Sequence, residues 1–477
     1  MSRTPSLNLF VLAGLLSVVT VCGCSDSAGN SSFVYSPGTL SLMQEAQDGT
    51  KEVAGVKTLL DERFGDPQHL KAWTKMPIEF GGTMMSVEEV KESESGRTLI
   101  KLSVPEGVSL PEKAGGIQFI SGTCAGETVQ ISEWNSKTGE ATVAAAPSKI
   151  PAAGDECVLD RGGVLQSGRM LYMRHCSHCH GTSGDGNGPT ARYLTPKPRD
   201  YRNGVFKFTS TNDLSKASRG DLSRIVKYGI PGTYMPSFLL MEDEEHHAII
   251  EYVRFLSLRG EYERKLVAEL SSDFSVKAFE SRLKSKEKKA DIQKELQEFL
   301  SEDLKESATS LGEELAETWA ASDTEEAAII PSVPRIPDSP ESRRRGRELF
   351  LSKKVNCANC HGVDGAGDGP QTIAFEKNKL TNEFYNEAGL HDVWDNLNQP
   401  RNLKLGIYRG GRRPIDLFSR IYAGIKGTAM PSHKTILDKH EDIWDIVNYI
   451  LSIPFETEPG ATGISPSAAT VTAPQAN

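Results

Sequence analysis

Beyond its first 24 residues this 477-residue chain has no long apolar run, so nothing after that point reads as a membrane-spanning helix. Cations are not in excess. The 54 lysines and arginines face 64 carboxylates, for a formal charge of -10, and no basic cluster dominates. Phosphate binding needs clustered cations, so the balance argues against a nucleic-acid partner. Cysteine is scarce at eight residues, few enough that almost every one can be assigned. With 38% hydrophobic and 25% charged residues the composition is that of a soluble globular protein. The length exceeds one ordinary core and suggests about three domains.

Four of the cysteines stand in one pattern that occurs twice: Cys176, Ser177, His178, Cys179, His180, and again Cys357, Ala358, Asn359, Cys360, His361. A C-x-x-C-H run is the attachment sequence of a c-type haem, in which two thiols form thioethers with the porphyrin and the adjoining imidazole binds iron. The alternatives are half a zinc site, which needs a second ligand pair close by, and a thioredoxin-like dithiol, which needs no histidine after the second cysteine. Neither explains the recurrence.

Cys22 and Cys24 end a segment with Arg3 and an apolar run over 7–21, the layout of a secretory signal over residues 1–23. The stretch Val21, Cys22, Gly23, Cys24 resembles a bacterial lipobox. That resemblance implies lipidation of Cys24, which would hold the protein at a membrane surface on the extracytoplasmic side without a spanning helix. Residues 24–75 read as a polar tether followed by short helices. Residues 76–160 read as a small β-rich domain, with alternating strands at 98–104, 116–120, 128–134 and 140–145 separated by Gly, Pro and Asn turn chemistry. It carries no catalytic pattern and reads as a packing or docking module. The remaining pair, Cys124 and Cys157, is expected to form a disulfide in an oxidising compartment, two buried free thiols being the alternative.

The segments at 164–260 and 342–455 repeat each other. Gly168, Arg169, Leu171 and Tyr172 before the first motif answer to Gly346, Arg347, Leu349 and Phe350 before the second. A glycine-rich turn ending at Pro189 answers to one ending at Pro370, and Pro198-Arg199-Asp200 to Pro400-Arg401-Asn402. Both copies run on into Gly-Ile-x-Gly-Thr-x-Met-Pro-Ser, containing Met235 and Met430, and close on an apolar helix. Between them, residues 261–341 are charged, with Leu296, Leu300, Leu304, Leu311 and Leu315 striping one helix face and a Pro-rich end. Residues 456–477 read as a disordered tail.

These repeats resemble class I cytochrome c domains of bacterial dihaem cytochromes. The resemblance implies a mainly α fold: two haem domains joined by the charged helical linker and preceded by the β-rich domain. It implies two covalently attached haem c groups, with His180 and Met235 as iron ligands in one and His361 and Met430 in the other. The family's acceptor for the histidine N–H maps onto the carbonyls of Pro189 and Pro370. Arg199 and Arg401 are candidates to pair with haem propionates, with surface loop arginines as the alternative. His175, His246, His247, His391 and His433 are candidate ligands only if the methionines are core filler. The second copy departs by an insertion at 381–399 containing His391 and Trp394, and by arginines at 343, 344, 345, 347, 409, 412 and 413 that read as a solvated face or a docking patch.

The leading functional expectation is single-electron transfer between a membrane-associated redox donor and an extracytoplasmic or respiratory acceptor. The alternatives are a cytochrome subunit of a larger oxidoreductase or respiratory complex and, behind it, a dihaem peroxidase-like enzyme. The last requires an exchangeable position on one iron.

Overall fold

The computed structural model describes residues 32–36, 39, 50–92, 96–104, 108–378 and 382–456. The expected export signal, the expected lipidation site Cys24 and the tail beyond 456 lie outside these residues.

Alternation of apolar and polar residues sends one face of each strand inward, and in the first region that face closes on itself. Strands β1 (Thr83–Glu92), β2 (Thr98–Ser103), β3 (Gly116–Phe119), β4 (Thr128–Asn135), β5 (Glu140–Val143) and β6 (Glu156–Leu159) form a closed antiparallel barrel in the order β1-β2-β5-β4-β3-β6. Four strands coincide with the alternating stretches. The other two were illegible for local reasons. A register shift between Val87 and Glu89 breaks the alternation of β1, and β6 is a four-residue run buried at three positions. Barrel closure depends on β6, which pairs with both β1 and β3.

The expected Cys124–Cys157 disulfide is corrected here. Both cysteines are buried in the barrel core as free thiols. The Cys124 thiol donates to the Lys149 carbonyl (3.0 Å), which commits it to the loop before β6, while burial pushes the Cys157 thiol up to about 12.

Each repeat begins and ends with helices that cross at a glycine. A Cβ on Gly168, in helix Gly163–His175, would lie 2.0 Å from the Ala248 carbonyl oxygen, and one on Gly346, in helix Pro340–Leu351, 2.0 Å from that of Asp445. Only glycine lets the two backbones approach so closely. Tyr252 and Tyr449 on the closing helices pack at these crossings.

The closing helix of the first repeat does not stop near residue 260. It runs from Asp243 to Phe274, so the boundary expected between 260 and 261 falls inside a helix. Leu258, Tyr262, Leu266 and Leu270 continue its buried face, and Gly260 is packed against the backbone and Cβ of Arg202 instead of ending the helix. The linker helices Val276–Lys284, Lys289–Glu298 and Leu304–Ala321 follow. Leu304, Leu315 and Trp319 join the same core as the first haem-domain helices and the N-terminal helix Thr50–Phe64. The segment read as a tether is also engaged: Ser36 N–H and Thr39 Oγ1 donate to Glu263 Oε1 at 2.8 and 2.6 Å. The Pro-rich segment is fastened to the last helix by Arg335 to Asn448 Oδ1 (2.7 and 2.9 Å) and by Trp444 Nε1 to the Val333 carbonyl (3.1 Å).

Candidate functional site

The C-x-x-C-H residues form short helices, Ser177–His180 and Ala358–His361, too short to satisfy their own carbonyls. The glycine-rich turn does it for them. Gly186 N–H donates to the His180 carbonyl (2.9 Å) and Gly188 N–H to that of Cys179 (3.1 Å), and Gly367 and Gly369 repeat this on His361 (2.8 Å) and Cys360 (3.2 Å). A Cβ on Gly188 would sit 2.3 Å from the His178 carbonyl oxygen and one on Gly369 2.4 Å from that of Asn359, which explains the glycines.

His180 Nδ1 donates to the Arg199 carbonyl at 3.1 Å. A carbonyl only accepts, so Nδ1 carries the proton and Nε2 is left with its lone pair free to bind a metal. Burial pushes this imidazole down to about 4; the Arg199 carbonyl opposes the shift, and the Arg199 and His178 charges add to it. The ring is therefore neutral at pH 7 and stacks on Tyr201 (4.7 Å between centroids). This corrects the expectation for Pro189 and Pro370. Both prolines are exposed, because the clamped glycine turn carries them outward, and the Pro-Arg loop passes beside the histidine instead. In the second copy burial also pushes His361 down. The Arg401 carbonyl acts on that ring, but His361 Nδ1 has no partner in hydrogen-bonding geometry.

The methionine loops share one geometry. In the first, Ile230 N–H donates to the Met235 carbonyl, and both Thr233 Oγ1 and N–H donate to the Ile230 carbonyl. Met235 N–H donates to Thr233 Oγ1 at 3.1 Å. Ile425, Thr428 and Met430 reproduce each bond. Gly229 and Gly424 sit at φ 67° and 74°, in the left-handed region that the Gly-Ile pattern requires. The loop thus holds its methionine in the same backbone conformation in both copies. Met430 packs, partly buried, against the second core.

Cys176, Cys179, His180, Arg199 and Met235 line one cavity of about 1340 Å³. Burial pushes the thiols of Cys176 and Cys357 up to about 12. They are neutral thiols, unlike the low-pKa thiolate of a redox dithiol. Among the described residues no group of three or more His, Cys, Asp or Glu comes together as a metal cage, as the zinc alternative needs. The donor set instead fits a covalently attached haem: paired thiols, a neutral imidazole and a thioether, around a cavity larger than a drug-sized pocket. Of the reserve histidines, His246 Nε2 donates to the Phe238 carbonyl (2.8 Å) and His247 lies beside Glu79 (3.2 Å). His391 stacks on Tyr385 (3.7 Å), His175 lines the cavity, and His433 is buried with Nδ1 unpartnered.

Residues that the motifs did not identify complete the wall. Asp392, Trp394 and Asn398 come from the second-copy insertion and Arg409 from just beyond it, so the first cavity is built by both repeats. Arg199 lies over the Trp394 ring (3.7 Å to the centroid), and Lys207 donates to Asp392 Oδ2 (2.9 Å) and Asn398 Oδ1 (3.1 Å). The signals in the sequence were the insertion containing Trp394, which makes the spacing from histidine to methionine unequal in the two copies, and the local arginines that include Arg409. The arginine-rich face is largely self-neutralised: Arg343 pairs with Asp338, Arg344 with Glu348, Arg345 with Asp445 and Arg413 with Asp416.

No curated protein matches the chain. Among solved structures, a chain of the Kuenenia stuttgartiensis reducing HAO-like protein complex aligns at 20% identity and a TM-score of 0.41, over 60% of this chain and 96% of that one. The Cytochrome c family model matches residues 165–257 and 344–454, the two repeats described above. Domains of this family bind haem c covalently and transfer electrons. With the duplicated C-x-x-C-H helices and methionine loops as their structural signature, these two repeats are cytochrome c family domains, and the chain carries both.

Proposed function

We propose that the chain carries two haem c groups, one attached at Cys176 and Cys179 with His180 and Met235 as iron ligands, the other at Cys357 and Cys360 with His361 and Met430. In this reading it passes single electrons between a membrane-associated donor and an extracytoplasmic or respiratory acceptor. The observation that carries the reading is the duplicated methionine loop, hydrogen-bonded identically in both copies and paired each time with a buried neutral histidine. The bound iron supplies a one-electron ferric/ferrous couple, and a thioether ligand favours its reduced form. The protein's own residues keep the imidazole neutral, hold its proton on Nδ1 in the first site, and wall the group from water.

Mass spectrometry of proteolytic peptides should find haem on both cysteine pairs. The ferric protein should show a methionine-to-iron charge-transfer band of which Met235→Ala and Met430→Ala each remove about half. A high-spin wild-type haem with peroxide turnover would overturn the reading in favour of a peroxidase-like enzyme.

Cytochrome c domains are usually extracytoplasmic, and among the described residues no helix is long and apolar enough to cross a membrane. Lipidation at Cys24 is the proposed attachment to the membrane surface. Fractionation checks it: wild-type protein stays with membranes through a salt wash, whereas Cys24→Ala is expected in the soluble fraction or unprocessed. Recovery of mature wild-type protein free of membranes would rule the anchor out.

A further inference from the structure

The two repeats meet at the first cavity through reciprocal contacts. A Cβ on Gly232, in the first methionine loop, would lie 2.9 Å from Arg401 Nη2 and 3.1 Å from Ile407 Cγ2. One on Gly427, in the second loop, would lie 2.8 Å from the Trp394 ring and 3.1 Å from Val205 Cγ1. Val393 N–H donates to the Gly427 carbonyl (3.0 Å), and Lys207 grips Asp392 and Asn398. The insertion is thereby held against the wall that contains Cys176, Cys179 and His180.

Two donors in that wall are left without acceptors. Trp394 Nε1 and Arg409 Nε are buried without a hydrogen-bond partner. Among the described residues neither Arg199 nor Arg409 makes an ion pair, although burial pushes Arg199 down to about 10 and lowers Arg409 as well. Neighbouring carboxylates are committed elsewhere: Asp392 to Lys207, Asp200 to Arg202, and Asp221 to Arg224. An indole N–H and a guanidinium Nε buried without acceptors are destabilising, and an anion that reached both would complete the cluster. The missing acceptor must reach the same cavity as the paired thiols and carry negative oxygens on an apolar body.

On the reading that Cys176 and Cys179 attach a haem, we propose that Trp394 and Arg409 of the second domain, with Arg199 of the first, hold that haem's propionate carboxylates. The first haem site is then completed by the other domain. Trp394 has a double role: its ring supports the Arg199 guanidinium and its N–H faces the carboxylate. The second domain accordingly helps set the potential of the first haem, because a cation beside the propionates stabilises the reduced, less positive iron site.

The test uses the full-length holoprotein. The two couples are resolved by spectroelectrochemical titration and assigned with a Met430→His variant, which alters the second site alone. Arg409→Gln should lower the midpoint of the first couple by three- to tenfold in the oxidised-to-reduced ratio, the tenfold limit being 59 mV for one electron. Trp394→Phe keeps an aromatic ring beside Arg199 and removes the indole N–H. It should shift the propionate bending mode in resonance Raman spectra with both haems still attached. Arg409→Lys should restore most of the potential, and Arg344→Gln, the same charge change in an exposed pair, should leave both couples in place. If neither Trp394→Phe nor Arg409→Gln moves the first couple or its propionate mode, or if only the second couple moves, the proposal is overturned. An unmodified Cys176–Cys179 peptide in the wild-type protein would instead overturn the haem reading beneath it.

Discussion

At Gly168 and Gly346 one hydrogen atom decides whether a haem domain closes. Alanine is the better helix former by about 1 kcal/mol, but its methyl would have to displace a backbone carbonyl on the facing helix, and overpacking of that kind costs about 1–3 kcal/mol or more. The clash wins, because the 2.0 Å contact is with backbone rather than a side-chain tip. Gly168→Ala is therefore expected to destabilise the first domain and Gly346→Ala the second, each by about 1–3 kcal/mol in chemical denaturation. An unchanged midpoint would mean the helices do not cross at these residues. Both glycines were visible in the sequence, since each opens the same Gly-Arg-x-Leu-aromatic run ahead of its motif. The acceptor for the His180 N–H was not visible, because which carbonyl lies beside the ring depends on how the glycine turn clamps back on the motif.

Among the elements, the linker shows how charge conceals packing. Residues 261–330 are rich in Glu and Lys, yet Tyr262, Leu266, Leu304, Leu315 and Trp319 are all buried in the first domain's core. Trp319 Nε1 donates to Glu261 Oε2 (3.0 Å), and Tyr262 Oη donates to the Ala308 carbonyl (2.9 Å), tying helix Leu304–Ala321 to helix Asp243–Phe274. Truncating so buried an indole costs about 3–5 kcal/mol. Trp319→Ala should loosen the 304–321 helix, and limited proteolysis should cut between 276 and 330 at protease levels that leave the wild type intact. Equal resistance of the two proteins would show that the helix is held by its other contacts. The leucine spacing announced a buried stripe here; what covers the stripe is the N-terminal helix, more than two hundred residues away.

For the whole molecule, the central feature is the docking of the two haem domains. Lys426 Nζ donates to Thr211 Oγ1 (2.8 Å) and the Ser215 carbonyl (2.6 Å), Lys434 Nζ pairs with Asp213 (2.5 Å), and Arg224 donates to the Gly410 carbonyl (3.0 Å). Burial pushes the Lys426 ammonium from its ordinary 10.5 down to about 8, with Asp221 and Asp213 opposing. Between those limits the docked lysine is neutral while the undocked one is still protonated, so the undocked state holds more protons and docking strengthens as pH rises from 8 to 10.5. The gain is at most about 3 kcal/mol. Spin-label distances between the domains, followed with denaturant at pH 7, 8.5 and 10, should show it, and Lys426→Met should flatten the dependence. A wild-type interface that loosens with rising pH over this range would contradict the assignment.

Motif and repeat by themselves pointed to two cytochrome c domains, and they marked the histidines, methionines and glycines to watch. They could do so because covalent attachment, metal ligation and left-handed backbone each demand one residue type at one spacing. Only the tertiary structure decided which carbonyl orients His180, that Cys124 and Cys157 stand as free thiols, and that the second domain's insertion walls the first cavity. Trp394 and Arg199 are 195 positions apart in the chain, and no local pattern encodes a contact between surfaces that meet only after both domains have folded.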